Sequence, residues 1–120
     1  MAELVVEISR PPFGHENTFA GLYVALGSLT KANDVTVVLR GDGVYTGRKG
    51  QERSLKNINL PPTERQVRDI IDLDGRVVAD KTSLEVRGIS EEELIEGIEI
   101  VEPEEVHDIL LEFGDHVIAF

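Results

Sequence analysis

Leu4-Val5-Val6-Glu7-Ile8 opens the chain and Val35-Thr36-Val37-Val38-Leu39 follows it, with a turn and a helical stretch between them. The first run is apolar at four of its five positions, too continuous for a strand with one face in water. Such a run fits a strand buried on both faces, as in a parallel sheet. Between the two runs, Pro11-Pro12-Phe13-Gly14 forms a stop signal. The spacing then predicts a helix from about Glu16 to Lys31. Phe19, Leu22, Tyr23, Leu26 and Leu29 form its apolar face, and Asn17 or Thr18 caps its first turn. Gly21 and Gly27 permit close packing against a sheet. This strand, helix, strand order is the unit of a parallel sheet.

The rest of the chain repeats the alternation. Gly41-Asp42-Gly43 ends the second strand, and Val44 to Gln51 reads as a short helix or turn. Glu52 to Asn59 reads as a polar, basic surface segment, closed by Pro61-Pro62. Thr63 opens a helix with Val67, Ile70 and Ile71 inward. Arg76 to Ala79 reads as a third strand and Ser83 to Arg87 as a short helix that stops at Gly88. Ser90-Glu91-Glu92-Glu93 has the spacing of a capping box. Ile98 to Val101 is a fourth strand. Pro103 starts a helix facing inward through Val106, Ile109, Leu110 and Phe113, with Gly114 as its C-terminal cap. His116 to Phe120 is a fifth strand. The expected architecture is therefore α/β: one domain over residues 1–120, with a five-stranded, mostly parallel sheet and helices on both faces.

Composition removes whole classes of function. The 120 residues include no cysteine, so a disulfide, a thiolate nucleophile and a Cys-ligated metal site are all excluded. His15, His107 and His116 lack the close pairing of a His-based metal site, so no metal and no cofactor is expected. No apolar run reaches the ~18 residues of a membrane span, and the start, Met1-Ala2-Glu3-Leu4-Val5, has no export signal. The expected location is the cytoplasm. A net charge of −11 argues against direct nucleic-acid binding. The charge is uneven: Glu91 to Asp115 carries eleven acidic residues and no Lys or Arg, whereas Arg40 to Arg68 carries seven basic and three acidic residues. These segments read either as solvated faces or as complementary patches that steer subunits together.

In an open parallel sheet, ligands bind beyond the carboxyl ends of the strands. Three loops leave those ends: Ser9 to Asn17, Arg40 to Gly50 and Asp80 to Ser83. They supply the candidate ligand or interface residues Arg10, His15, Asp42, Tyr45, Asp80, Lys81 and Ser83. No residue is assigned a catalytic role. Asp42, between glycines, reads as a carboxylate that caps the following amides. Thr82 or Ser83 reads as the cap of the helix that follows. Ser83 is not in a Gly-x-Ser-x-Gly elbow, and the first loop is not a Walker A motif.

Gly41-Asp42-Gly43-Val44-Tyr45, with Gly50-Gln51 after it, resembles the Asp-Gly-Val-Tyr/Phe…Gly-Gln segment of the DsrF and TusC subunits of the DsrE/DsrF-like family. Ser83-Leu84-Glu85-Val86-Arg87-Gly88-Ile89 is similar to that family's Ser/Cys-Leu-x-x-Arg-Gly segment after the third strand. The opening strand with Pro12-Phe13-Gly14 and the closing strand ending at Phe120 also resemble it. The likeness spans nearly the whole chain and is weakest between Glu52 and Arg65. It implies a three-layer α/β/α sandwich and assembly into dimers, trimers or hexamers. In cysteine-bearing members of the DsrE/TusD type, it implies relay of persulfide sulfur for sulfur oxidation or tRNA 2-thiolation. Where those members have their cysteine, this chain has Asp80-Lys81-Thr82-Ser83. The expectation is a non-catalytic subunit that forms a homo-oligomer or pairs with a cysteine-bearing relative. The alternative is a binder of small anionic ligands, or an enzyme, using the same sheet edge.

Overall fold

The computed structural model describes residues 2–12, 16–50 and 63–120. Its strands are β1 (Glu3–Ile8), β2 (Asp34–Leu39), β3 (Arg76–Asp80), β4 (Glu99–Val101) and β5 (His116–Ala119). The α-helices are α1 (Asn17–Thr30), α2 (Thr63–Asp72), α3 (Lys81–Val86) and α4 (Pro103–Asp108). A 3-10 helix covers Gly41–Gly47, another covers Glu91–Glu93, and α4 continues as a π-helix over Ile109–Phe113.

All five strands pair in parallel, in the order β4-β3-β2-β1-β5. From β1 the chain steps through β2 and β3 to β4, then returns to the far side of β1. β1 is thus the strand at which the winding direction reverses. Val5, Val6 and Ile8 are fully buried, because both faces and both edges of β1 are covered over most of its length. Each such side chain contributes roughly 1.5–3 kcal/mol relative to an exposed one.

The sheet's two faces are covered unequally. The first packs Leu4, Val6, Ile8, Val35, Val37, Leu39, Val77 and Ala79 against Leu22 and Ala25 of α1 and Val67 and Ile70 of α2. The second packs Val5, Val38, Val78 and Val101 against Val106 and Ile109, with Leu110 at its margin. Two long helices serve one face, while α4 and its π-helix serve the other.

Several details depart from the sequence reading. Tyr23 belongs to the expected inner stripe of α1 but is 67% exposed. The buried face is Thr18, Gly21, Leu22 and Ala25, rotated away from it. Gly21 explains the rotation: a Cβ there would stand 2.5 Å from Ile8 Cδ1 and 2.9 Å from Phe120 Cδ2, so the helix seats its small residue on the sheet. Gly27 plays no such part, since a Cβ there meets nothing within 4 Å. Neither Asn17 nor Thr18 caps α1; Glu16 holds that position without a side-chain bond, and the Thr18 hydroxyl donates to the carbonyls of Arg10 and Pro11. The capping box at Ser90 does not form, because only a three-residue 3-10 turn follows it. Phe113 is 48% exposed: the π-helix carries it off the inner face. Gly114 follows the π-helix in extended backbone (φ −90°, ψ 148°), not as a left-handed cap. The 3-10 helix begins at Gly41, earlier than the expected helix or turn at Val44. The expectations for Phe13, Gly14 and residues 51–62 lie outside the described residues.

The charged segments meet within one subunit. Arg48 Nε lies 3.6 Å from Glu93 Oε2, the Lys49 N–H donates to the Glu93 carbonyl, and Arg48 and Leu94 form an antiparallel bridge. At the amino ends of the strands the acid is less well matched. Glu3 stands opposite Asp34 in register, and its N–H donates to Asp115 Oδ2. Partial burial first, then Asp34 and Asp115, hold the Glu3 carboxyl above the usual carboxylate range. A raised folded-state value means that the folded chain binds its proton more readily than the unfolded one. The resulting penalty is absent at low pH and sets in as pH rises through the folded-state value. Glu3→Gln is therefore expected to stabilise the fold at pH 7 by about 0.2–1 kcal/mol, the scale of a surface charge contact. In urea melts at several pH values, this gain should vanish below the carboxylate range; a gain independent of pH would show that charge is not its source.

Candidate functional site

The carboxyl ends of β2 and β3 place the 3-10 helix Gly41–Gly47 beside α3, and a short polar chain joins them. Ser83 lies in the first turn of α3 and is 8% exposed. Its Oγ accepts a bond from the Gly41 N–H at 2.9 Å and donates to Asp80 Oδ2 at 2.6 Å. The Ser83 N–H also donates to Asp80 Oδ2, at 3.3 Å. Asp80, the last residue of β3, is thus the N-cap of α3. That corrects the expectation for Thr82 or Ser83: the cap must be extended, and Asp80 is (φ −70°, ψ 121°) whereas Ser83 is already helical.

Asp42 does not cap the segment after it. Its Oδ1 accepts from Arg87 Nε at 3.1 Å and lies 3.0 Å from Arg87 Nη2, while Arg87 Nη1 donates to the Ser83 carbonyl at 3.1 Å. Arg87 thereby ties the end of α3 to the 3-10 helix, and Gly88 (φ 66°) turns the chain away in the left-handed conformation that glycine favours. Arg87 was absent from the sequence-derived candidates. Its spacing from Ser83, one helical turn, was the available signal. Gly43 brings the backbones together, for a Cβ there would collide with the Ile8 carbonyl.

The structure thus links Asp42, Asp80 and Ser83 in one bonded group. Tyr45 is half-buried beside it, packed against the core of the first face. Lys81 is turned elsewhere: its Nζ donates to Glu102 Oε1 at 3.2 Å. That bond, then the charges of Glu102 and Glu85, hold the ammonium above the usual lysine range. Arg10 is exposed, and its carbonyl accepts a bond from the Thr18 hydroxyl. His15 lies outside the described residues. Among the described residues, no group of three or more His, Asp or Glu side chains could hold a metal ion.

The Ser83 hydroxyl uses its one proton on Asp80 and a lone pair on Gly41. It is buried and internally satisfied, which suits a structural tie better than a nucleophile. Ser83→Ala would leave the Gly41 N–H unpaired, at a cost of about 1–3 kcal/mol. Asp80→Ala should cost about 0.5–2 kcal/mol through the lost cap. Because both act on one bonded chain, the double variant should cost less than the sum. Additive losses in chemical denaturation would show that the two side chains act independently.

Comparison with known proteins places this arrangement in context. The model of the DsrE/DsrF-like family matches residues 3–120. An uncharacterized protein of Methanopyrus kandleri, MK0008, is 32% identical over 119 residues, covering 98% of this chain and 93% of that protein. The intracellular sulfur oxidation protein DsrF of Allochromatium vinosum is 32% identical over 108 residues, covering 88% of this chain and 78% of its own. The crystal structure of the ychN protein from E. coli superposes with a TM-score of 0.87 at 27% identity, covering all of both chains. A five-stranded parallel sheet, a family match over nearly its full length and this similarity to DsrF together show that the chain belongs to the DsrE/DsrF-like family.

Proposed function

We propose that this chain is a non-catalytic subunit of a sulfur-relay assembly, in which a cysteine-bearing relative of the DsrE/TusD type carries the sulfur. One observation carries this reading. Where the resemblance puts the carrier's cysteine, the chain has Asp80-Lys81-Thr82-Ser83, with Ser83 locked between Asp80 and Gly41, and the sequence contains no thiol at all. Persulfide exchange needs a thiolate that attacks and then leaves. A hydroxyl cannot hold sulfane sulfur, so the role left to this subunit is to position a partner.

The relative named DsrF supports the sulfur-oxidation branch of this reading. Service to tRNA thiolation is the other branch. The net charge of −11 means that contact with RNA would have to come from the partner's surface. The anion-binding alternative gains little from the geometry, because the Lys81 ammonium is already engaged by Glu102. No helix of the described residues is long and apolar enough to cross a membrane.

Purified protein should take up no labelled sulfane sulfur from a persulfide donor. Mixed with a cysteine-bearing relative, it should co-elute with it and raise its transfer rate. Uptake by the protein alone, or no complex with any such relative, would sink the subunit reading. A second outcome follows from the cap. In Ser83→Cys the new thiol would face the Asp80 carboxylate, which disfavours the thiolate. Its reaction with a disulfide reagent at pH 7 should be slow, and about tenfold or more faster in Asp80→Asn/Ser83→Cys. Equal rates would show that Asp80 does not govern a thiol at this position.

A further inference from the structure

A groove between α1 and α2 is lined by Tyr23, Leu26, Gly27 and Thr30 of the first helix and Gln66 and Asp69 of the second, with a volume of about 310 Å³. We infer that it receives the side chain of an arginine presented by a partner protein. The groove shares no residue with the Asp80–Ser83 group and does not depend on the sulfur-relay reading.

Glycine inside a helix costs stability relative to alanine, and it is kept where backbone must come close to a neighbour. Gly21 meets that description against Ile8 and Phe120. Gly27 does not, since a Cβ there would meet nothing within 4 Å. What Gly27 provides is room. Tyr23, Leu26, Gly27 and Thr30 stand at i, i+3, i+4 and i+7, a stripe of about 10 Å along α1. The missing side chain opens that stripe to an apolar stem lying beside Leu26.

The polar groups of the groove select a donor. Gln66 is 2% exposed, at the groove's floor. Its Nε2 donates to the Phe19 carbonyl at 3.4 Å, and its Oε1 has no hydrogen-bond partner among the described residues. A buried acceptor left unpaired is uncommon, because it carries the full cost of lost hydration. Thr30 spends its hydroxyl proton on the Gly27 carbonyl at 2.8 Å and keeps only lone pairs to offer. Asp69 is exposed and has no ion pair among the described residues, while Arg68 beside it is engaged by Glu64. Gln66, Thr30 and Asp69 therefore all present acceptors, and Tyr23, largely in water, adds an aromatic face. A guanidinium matches this set: it is planar, donates through five N–H groups, accepts nothing and stacks on aromatic rings. An ammonium lacks the plane and is more strongly hydrated. An anion would meet the Asp69 carboxylate.

The shape of the groove selects the source. Free small ligands sit in pockets that bury most of their surface. This groove lies open beside an exposed Tyr23, so it cannot do that alone. A partner protein can, because its own surface closes the groove over the arginine it inserts. Tyrosine and arginine are also the residues on which such contacts most often depend. The net charge of −11 draws a cationic surface toward this one.

The test titrates an end-blocked Gly-Arg-Gly peptide into the isotope-labelled full chain and follows its NMR spectrum. Gly-citrulline-Gly, with the same stem and no charge, is the control, and agmatine is the free guanidinium compound. The arginine peptide should shift the Gly27 backbone amide and the Gln66 side-chain amide saturably. The citrulline peptide should bind about tenfold or more weakly, as loss of a charged hydrogen-bond donor implies. Agmatine should bind no more tightly than the peptide. Asp69→Asn should weaken the arginine peptide about two- to fivefold, the range of an exposed ion pair. Gly27→Leu fills the groove and should abolish the Gln66 shift while raising the melting temperature, because leucine is the better helix former. If Gly27→Leu does not fold, the citrulline and Asp69→Asn comparisons decide. Equal binding of the arginine and citrulline peptides would overturn the guanidinium, and no saturable shift would overturn the site. Full binding by a folded Gly27→Leu would overturn the groove. Tighter binding of agmatine than of the peptide would overturn the partner protein in favour of a free compound. Self-association lost in Gly27→Leu, seen by light scattering, would overturn a separate partner in favour of an arginine from another copy.

Discussion

Strand β1 has to satisfy two neighbours and two faces at once, and the remainder of the molecule is arranged around that demand. All six of its residues are in register with β2, and Leu4 to Glu7 are in register with β5. Its backbone can be paired on both edges only if the chain leaves in one direction and later returns in the other. The Ile8 carbonyl, at its end, accepts from the Arg40 N–H, and Gly43 presses against the same carbonyl. The 3-10 helix that holds Asp42 is thus seated on the end of β1. Ser83 reaches that helix through Gly41, so the polar group at the carboxyl end of the sheet inherits its position from β1.

The sheet was legible because its strands are written in β-branched residues. Val35 to Leu39 and Arg76 to Ala79 have little other use, and Gly and Pro punctuate them. The orientation of α1 was not legible, because the pattern rewards large apolar residues and the inward position belongs to Gly21. The caps failed for a related reason. Thr18 and Ser90 have the right side chains, but capping depends on backbone angles and on competing partners, and Thr18 had two carbonyls within reach. The π-helix, which turned Phe113 outward, leaves no signature in the periodicity.

The candidate residues divide along the same line. Asp42, Asp80 and Ser83 were found because they follow strands, and the fold joins such loops at one edge. Their roles were inverted: Asp80 is the cap, Ser83 the bridge, and Asp42 the acceptor for an arginine one helical turn beyond Ser83. Lys81 was placed by proximity alone, and Glu102 at the end of β4 claims it. The charged segments read either as solvated faces or as patches that steer subunits together. Two of their members, Arg48 and Glu93, meet inside one subunit, which sequence separation conceals.

The π-helix at Ile109–Phe113 has a further meaning for how such a chain varies. A stretch of this kind accommodates one residue more than an ordinary helix needs to span the same distance. Leu111, near its middle, is 81% exposed and anchors nothing in the core. A relative shorter by one position here would run a regular helix between the same endpoints, keeping Val106 on the sheet and β5 beside β1. Length differences among such chains therefore have a place to fall that leaves β1 untouched.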